Sequence, residues 1–148
     1  MQRSTQLIDT LQNAGLRLTP QRVAVCELLA GTKAHPTAQM IYDTLRPQYP
    51  SLSLATVYNT LDTLVSLGVV NSLGSAGDDS IHYDADTTPH INLACTSCHA
   101  VIDIPSQFVQ ALEGEVASSS GYQITGARVL YYGLCPDCQA KTHTEQKQ

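Results

Sequence analysis

The spacing of apolar positions is helical up to Gly68 and turns strand-like after it. Residues 3–14 put Leu7, Ile8 and Leu11 on one helical face, and Gly15 ends the segment. Thr19-Pro20 fits an N-cap followed by proline at the first helical position, opening a helix that runs to about Ala30 before Gly31 stops it. His35-Pro36 is a turn, and Thr37 caps a third helix with Met40, Ile41, Tyr42 and Leu45 as its apolar face; Pro47 and Pro50 punctuate its exit. Ser53 caps a fourth helix over 54–67, where Leu54, Val57, Leu61, Leu64 and Val65 recur at three- and four-residue spacing and mark a buried stripe. Residues 69–73 and 80–84 then read as strands around the turn-rich 74–79. Helices followed by a hairpin are the outline of a winged helix, here with an acidic wing tip that adds little phosphate binding.

The second half is mixed. Residues 85–90 read as a hinge, 91–95 and 99–104 as short apolar strands, and Ser106 caps a helix carrying Phe108, Val109, Leu112 and Val116 that ends within 118–121. Residues 122–125 and 127–134 read as further strands, and the polar tail from Thr142 as disordered. The expected fold class is therefore α+β, with a winged-helix part at 1–84, a hinge at 85–90 and a small α/β part at 91–148 whose exposed sheet edges suit self-association.

Composition narrows the function. Apolar residues make up 43% of the 148, enough for a core. No apolar run approaches the roughly 20 residues needed to cross a membrane, and the start of the chain lacks a signal-peptide pattern, so a cytoplasmic location is expected. The net charge of −5 counts against generic nucleic-acid binding, which wants a basic face. Any DNA binding must rest on a few placed contacts and on dimer geometry. The free face of the fourth helix, with Ala55, Thr56, Tyr58, Asn59 and Asp62, is small, polar and aromatic where it could enter a major groove. Taken alone, it reads more simply as a solvated face.

Four of the five cysteines form two C-x-x-C pairs, Cys95/Cys98 and Cys135/Cys138. Three readings fit them. A structural zinc ion prefers such a closed shell of four thiolates, and here it would clip residues 99–134 into one small module. Two disulfides would want export, of which there is no sign. A thioredoxin-like redox motif expects one pair, at a helix start after a strand. Zinc is preferred. Cys26, in a helical apolar pattern, reads as a buried small hydrophobe.

Taken in order, Gly15-Leu16-Arg17-Leu18-Thr19-Pro20-Gln21-Arg22, Ala34-His35-Pro36-Thr37-Ala38, Ala55-Thr56-Val57-Tyr58-Asn59-Thr60-Leu61 and the two C-x-x-C pairs resemble the ferric uptake regulator family over nearly the whole chain. The resemblance implies a homodimeric, metal-dependent repressor, with an N-terminal winged-helix DNA-binding domain and a C-terminal dimerisation domain around a four-cysteine zinc site. It makes the fourth helix the recognition helix, with Tyr58 as the base contact and Arg17 as its partner at the minor groove or backbone. Two such helices on a two-fold axis would read a palindromic double-stranded operator.

A second metal is also implied. His35, Asp84, His90 and Asp103 are nitrogen and oxygen donors about the hinge, and mixed imidazole and carboxylate ligation suits Fe²⁺, Mn²⁺ or Zn²⁺. From spacing alone each histidine reads rather as a surface residue or a capped turn; the resemblance puts all four residues at regulatory ligand positions. The family usually has His-x-His before the first C-x-x-C, whereas this chain reads His90-Ile91-Asn92, so Asn92 offers an amide oxygen instead, with His82, Asp86 or water as lesser substitutes. His99 reads as a surface residue. Asp84, where iron sensors have glutamate, and Leu134, where they often have histidine, resemble the peroxide-sensing repressors of the family. In those, H2O2 acts through Fe²⁺ to oxidise a ligand histidine, here His35 or His90, while Mn²⁺ represses without responding. One zinc and one Fe²⁺ or Mn²⁺ per subunit, and no enzymatic turnover, are expected. The alternatives are an iron- or zinc-responsive repressor of the same family and, from another class, a cytosolic thiol–disulfide redox protein.

Overall fold

Side-chain caps start each of the three helices that follow the first turn. The Thr19 hydroxyl accepts from the Arg22 amide (3.2 Å), Thr37 from Met40 (3.1 Å) and Ser53 from Thr56 (3.1 Å). Each satisfies an amide that the helix itself leaves unbonded. The helices are α1 (Gln2–Asn13), α2 (Pro20–Gly31), α3 (Ala38–Leu45) and α4 (Leu54–Ser66), and a two-stranded antiparallel sheet follows, β1 (Asn71–Leu73) and β2 (His82–Asp84). Gly15, at φ +85°, turns the chain out of α1 through the left-handed region that side chains resist. The computed structural model describes residues 2–74 and 79–145 and divides them into two units. One is this helical part, up to Gly74 together with Ile81–Thr87; the other runs chiefly from Thr88 onward.

The first unit is a winged helix around one apolar core. Leu7 and Leu11 of α1, Val25, Cys26 and Leu29 of α2, Ile41 of α3 and Val57, Leu61 and Leu64 of α4 are all within 1% of full burial. Met40 is a correction to the expected face of α3: it is 48% exposed, because Ala38, Ile41 and Leu45 take the buried side and Met40 falls a third of a turn away. The hairpin strands are shorter than the pattern suggested, and residues 75–78 of the expected turn, with its acidic tip at Asp78, lie outside the described residues. Asn71, Ser72 and Leu73 pair with Asp84, Tyr83 and His82. The other edge of β2 is also occupied: the Tyr83 amide donates to the Pro36 carbonyl (3.0 Å), and Thr37 bridges to His82. All three residues of β2 are buried as a result.

The second unit is a three-stranded sheet in the order β4-β3-β5, from β3 (Ile91–Cys95), β4 (Val101–Ile104) and β5 (Val129–Gly133), with α5 (Gln107–Ser120) between β4 and β5 and α6 (Pro136–Glu145) after them. β3 is central, antiparallel to β4 and parallel to β5. Ser106 caps α5 by accepting from the Phe108 amide (3.2 Å), and Gly121, at φ +71°, closes it by donating to the Ala117 carbonyl (2.9 Å). Two expectations fail here. Residues 122–125 are not a strand, since no strand of the described chain runs beside them to take their hydrogen bonds. The tail is not disordered from Thr142: α6 carries it as helix to Glu145, begun by Pro136 at a helical first position. The described apolar core of this unit is thin, with Ala94, Cys95, Val101, Val109 and Cys138 buried, while Phe108, Leu112 and Val116 of α5 stand 74%, 53% and 46% exposed. No helix among the described residues is long and apolar enough to cross a membrane.

Candidate metal centres

Strand pairing brings the two C-x-x-C motifs together. The parallel register sets Cys95 at the end of β3 opposite Gly133 at the end of β5, and the Thr96 amide donates to the Gly133 carbonyl (2.9 Å). Cys98 then follows in the turn after β3, and Cys135 and Cys138 flank the start of α6. The four sulfurs lie within 4.8 Å of one another, and Cys98 Sγ is 3.9 Å from Cys135 Sγ. Zinc–sulfur bonds of about 2.3 Å in a tetrahedron put sulfurs roughly 3.8 Å apart, so the four thiols are gathered close enough for Zn²⁺ to draw them into its shell. Backbone amides point at the sulfurs: Cys135 N–H donates to Cys95 Sγ and Cys138 N–H to Cys135 Sγ, both at 3.4 Å. The Cys135 amide, helped by that of Cys98, holds the Cys95 thiol down at about 5. Cys138 is raised to about 11; the Ser97 hydroxyl favours its thiolate, but Cys135 beside it and burial outweigh that. Crowded thiols without a cation keep protons on some members so that others can ionise. Cys26 is different: it is fully buried in the first unit, and burial followed by the Glu27 charge raises its thiol to about 11, which leaves it a neutral core residue.

Each unit also carries an imidazole paired with a carboxylate. In the first, His35 and Asp84 are 2% and 8% exposed, and His35 Nε2 is 3.1 Å from Asp84 Oδ2. Asp84 Oδ1 accepts from the Asp86 amide (2.8 Å), which fixes the carboxylate plane. His35 has φ +51°, in the left-handed region that few residues with a side chain occupy. In the second unit, His90 Nε2 lies 3.1 Å from Asn92 Oδ1 and 3.4 Å from Asp103 Oδ1, while His90 Nδ1 faces the Thr88 carbonyl (2.6 Å). Asn92 and Asp103 are cross-strand partners on β3 and β4, and the Asn92 amide nitrogen donates to the Val129 carbonyl (3.3 Å). Asn92 therefore presents its oxygen on the side of His90. A histidine with Nδ1 on a backbone carbonyl and Nε2 beside carboxylate oxygen is oriented as metal-ligating histidines are, and both pairs fit a divalent cation of mixed nitrogen and oxygen preference. Asp86 is engaged elsewhere, 3.4 Å from Arg3. His99 is half-buried at φ +64°, its amide donating to the Cys95 carbonyl (2.9 Å) in the turn that carries Cys98 and leads to β4.

Helix α4 buries one face and exposes the other. Val57, Leu61 and Leu64 anchor it in the core, while Ala55, Tyr58 and Asn59 face outward, Tyr58 at 42% exposure. Thr56 is less available than its position suggested: it is half-buried and its hydroxyl is 2.9 Å from the Ser53 hydroxyl in the cap. Arg17 is exposed, and its carbonyl accepts from the Arg22 guanidinium, which steadies the loop before α2. The residue that sequence reasoning undervalues is His82. The sequence offers it only as a substitute ligand; its buried Nδ1 instead meets the His35 carbonyl at 2.7 Å. Its inward position in a short strand is the available signal.

These are the parts of a metal-binding winged-helix transcription regulator, not of a thiol–disulfide enzyme. The chain belongs to the Ferric uptake regulator family, whose sequence profile matches residues 13–132. It is 37% identical over 134 residues, 90% of each chain, to the peroxide-responsive repressor PerR of Staphylococcus saprophyticus. Among solved structures it is similar to the Campylobacter jejuni peroxide stress regulator, with a TM-score of 0.72 and 29% identity over 89% of this chain and 98% of that one. It also shares its fold with the Helicobacter pylori ferric uptake regulator, with a TM-score of 0.76 at 19% identity over 93% and 92% of the two chains. The chain is thus a homologue of peroxide-responsive repressors within that family.

Proposed function

We propose that the protein is a metal-dependent repressor that binds a palindromic operator as a homodimer and leaves it when peroxide oxidises His35 or His90. The observation that carries this reading is the buried His35–Asp84 pair, held on a strained backbone and matched by a His90–Asp103 pair in the second unit. In this reading one Fe²⁺ or Mn²⁺ per subunit takes donors from both pairs, with Asn92 completing the set, and so ties the winged helix to the second unit. Fe²⁺, when bound, supplies the electrons that cleave the peroxide O–O bond. The residues do the rest. The Asp84 and Asp103 carboxylates hold the His35 and His90 rings in fixed orientations, and burial keeps His35 out of bulk water. A ring that has gained an oxygen atom is a poorer donor, so its pair releases the metal and the two units lose their tie. The four-cysteine zinc, one per subunit, secures the second unit, and the exposed apolar side chains of α5 supply a surface for the partner protomer.

The test is to load the purified protein with Fe²⁺, add H2O2 and map its peptides by mass spectrometry. One added oxygen on His35 or His90, absent from the Mn²⁺-loaded protein, is expected; no added oxygen on either would sink the proposal. A second reading, an iron- or zinc-responsive repressor, is favoured by Asn92 standing where the family has a ligand histidine. Operator binding titrated separately with Zn²⁺, Fe²⁺ and Mn²⁺ decides between them, since activation by Zn²⁺ alone with no effect of peroxide would select the second. On the DNA side, Tyr58→Ala is expected to weaken specific operator binding by about 1–3 kcal/mol, the usual worth of one base contact. An operator affinity unchanged by the substitution would remove Tyr58 from the reading set.

A further inference from the structure

We propose that His82 is a positioning residue, whose ring Nδ1–H, donated to the His35 carbonyl, holds the His35 backbone in the left-handed conformation that aims its imidazole at Asp84. The two imidazoles are 4% and 2% exposed, and the Nδ1 to carbonyl distance is 2.7 Å. A carbonyl oxygen can only accept, so the ring nitrogen facing it carries the hydrogen and the tautomer of His82 is fixed. His35 needs such a restraint. Its φ of +51° is unfavourable for any residue with a Cβ, and it precedes a proline, whose ring further narrows the conformations open to it.

Strand β2 supplies the restraint in two stages. Main-chain contacts from Tyr83 and His82 hold Pro36 and Thr37 along its edge. The His82 side chain reaches one residue further, to the His35 peptide itself. His82 and Asp84 are two apart on the strand and so share a face. One grips the His35 carbonyl and the other its ring, at 2.7 and 3.1 Å. Two anchors on one rigid strand fix both the position and the direction of the imidazole. Such outer contacts commonly change metal affinity by roughly 10- to 100-fold when removed.

The inference rests on His35 acting as proposed above, and the experiment separates the two. In the metal-free wild-type protein, nitrogen-resolved NMR of the histidine rings should show His82 as the Nδ1–H tautomer; an Nε2–H tautomer overturns the inference without any variant. His82→Leu keeps much of the bulk and removes the donor, while His82→Asn keeps an amide donor near the place of Nδ1. The leucine variant should bind Mn²⁺ on the order of tenfold more weakly and, after Fe²⁺ and H2O2, should carry a smaller share of added oxygen on His35 relative to His90. The asparagine variant should restore both. A leucine variant with wild-type Mn²⁺ affinity and an unchanged His35 to His90 ratio overturns the inference, as do equal losses in both variants, which would make ring bulk responsible. If wild-type protein gains no oxygen on either His35 or His90 while the tautomer and the Mn²⁺ affinities behave as stated, the peroxide reading falls and the role of His82 stands.

Discussion

Cys138→Ser is expected to empty the zinc site and unfold the second unit while the first stays folded. The described buried side chains of the second unit are few, and two of them, Cys95 and Cys138, are themselves proposed ligands. A structural zinc contributes roughly 10 kcal/mol or more in a small domain, comparable to the whole stability of many such units. A core of Ala94, Val101 and Val109 cannot offset that loss. The first unit has its own core, from Leu7 to Ala85. Metal analysis should therefore give no zinc. Amide exchange should lose protection over 91–95 and 129–133 while α2 and α4 keep theirs. A zinc-free variant in which those strands stay protected would show the metal to be dispensable to the fold.

Asp84→Asn should sharply weaken the activation of operator binding by Mn²⁺ and leave zinc content unchanged. The substitution keeps shape and removes the charge that a divalent cation would meet at the buried His35–Asp84 pair. An amide oxygen is a weak substitute for a carboxylate towards Mn²⁺, and a loss of affinity on the order of 100-fold is expected. A repressor whose two states differ in population by about 10⁴ between metal-free and metal-bound forms needs about 5.5 kcal/mol of differential binding. Losing about half of that leaves the two states roughly equally populated even with metal bound, so most of the activation is lost. Fluorescence anisotropy with labelled operator, with and without Mn²⁺, reads the effect. A variant that still requires and responds to Mn²⁺ as the wild type does would remove Asp84 from the ligand set.

The first unit was largely legible because its signals are local. Thr19, Thr37, Ser53 and Ser106 announce helix starts within four residues, and all four cap as expected. Met40 misled because three apolar residues in a row widen an apparent face that geometry then narrows. The second unit was harder because its structure depends on distant partners. Nothing in Tyr122–Thr125 says whether a neighbouring strand exists, and α6 opens with Pro-Asp inside a cysteine motif, which reads equally as a turn. The four-cysteine shell was legible from spacing alone, since two C-x-x-C pairs have few other uses. The histidine sites were not legible from spacing, and only the family resemblance singled them out. Single histidines at irregular spacing acquire meaning only through φ angles and hydrogen bonds, and the role of His82 came from its contact with a backbone atom, which a sequence does not display.

The parallel pairing of β3 with β5 also sets an order of events. A parallel neighbour cannot form from a tight turn, so β3 must wait until β4, α5 and β5 have all been made. The helices of the first unit contact one another over short separations and need nothing from downstream, and chains with local contacts fold faster than those with distant ones. During synthesis the winged helix can thus form while the second unit is still an open chain with two of its four thiols in place. The protein would acquire its reading helix before its zinc site can close, and refolding from denaturant should show a fast zinc-independent phase followed by a slower one that waits for the metal.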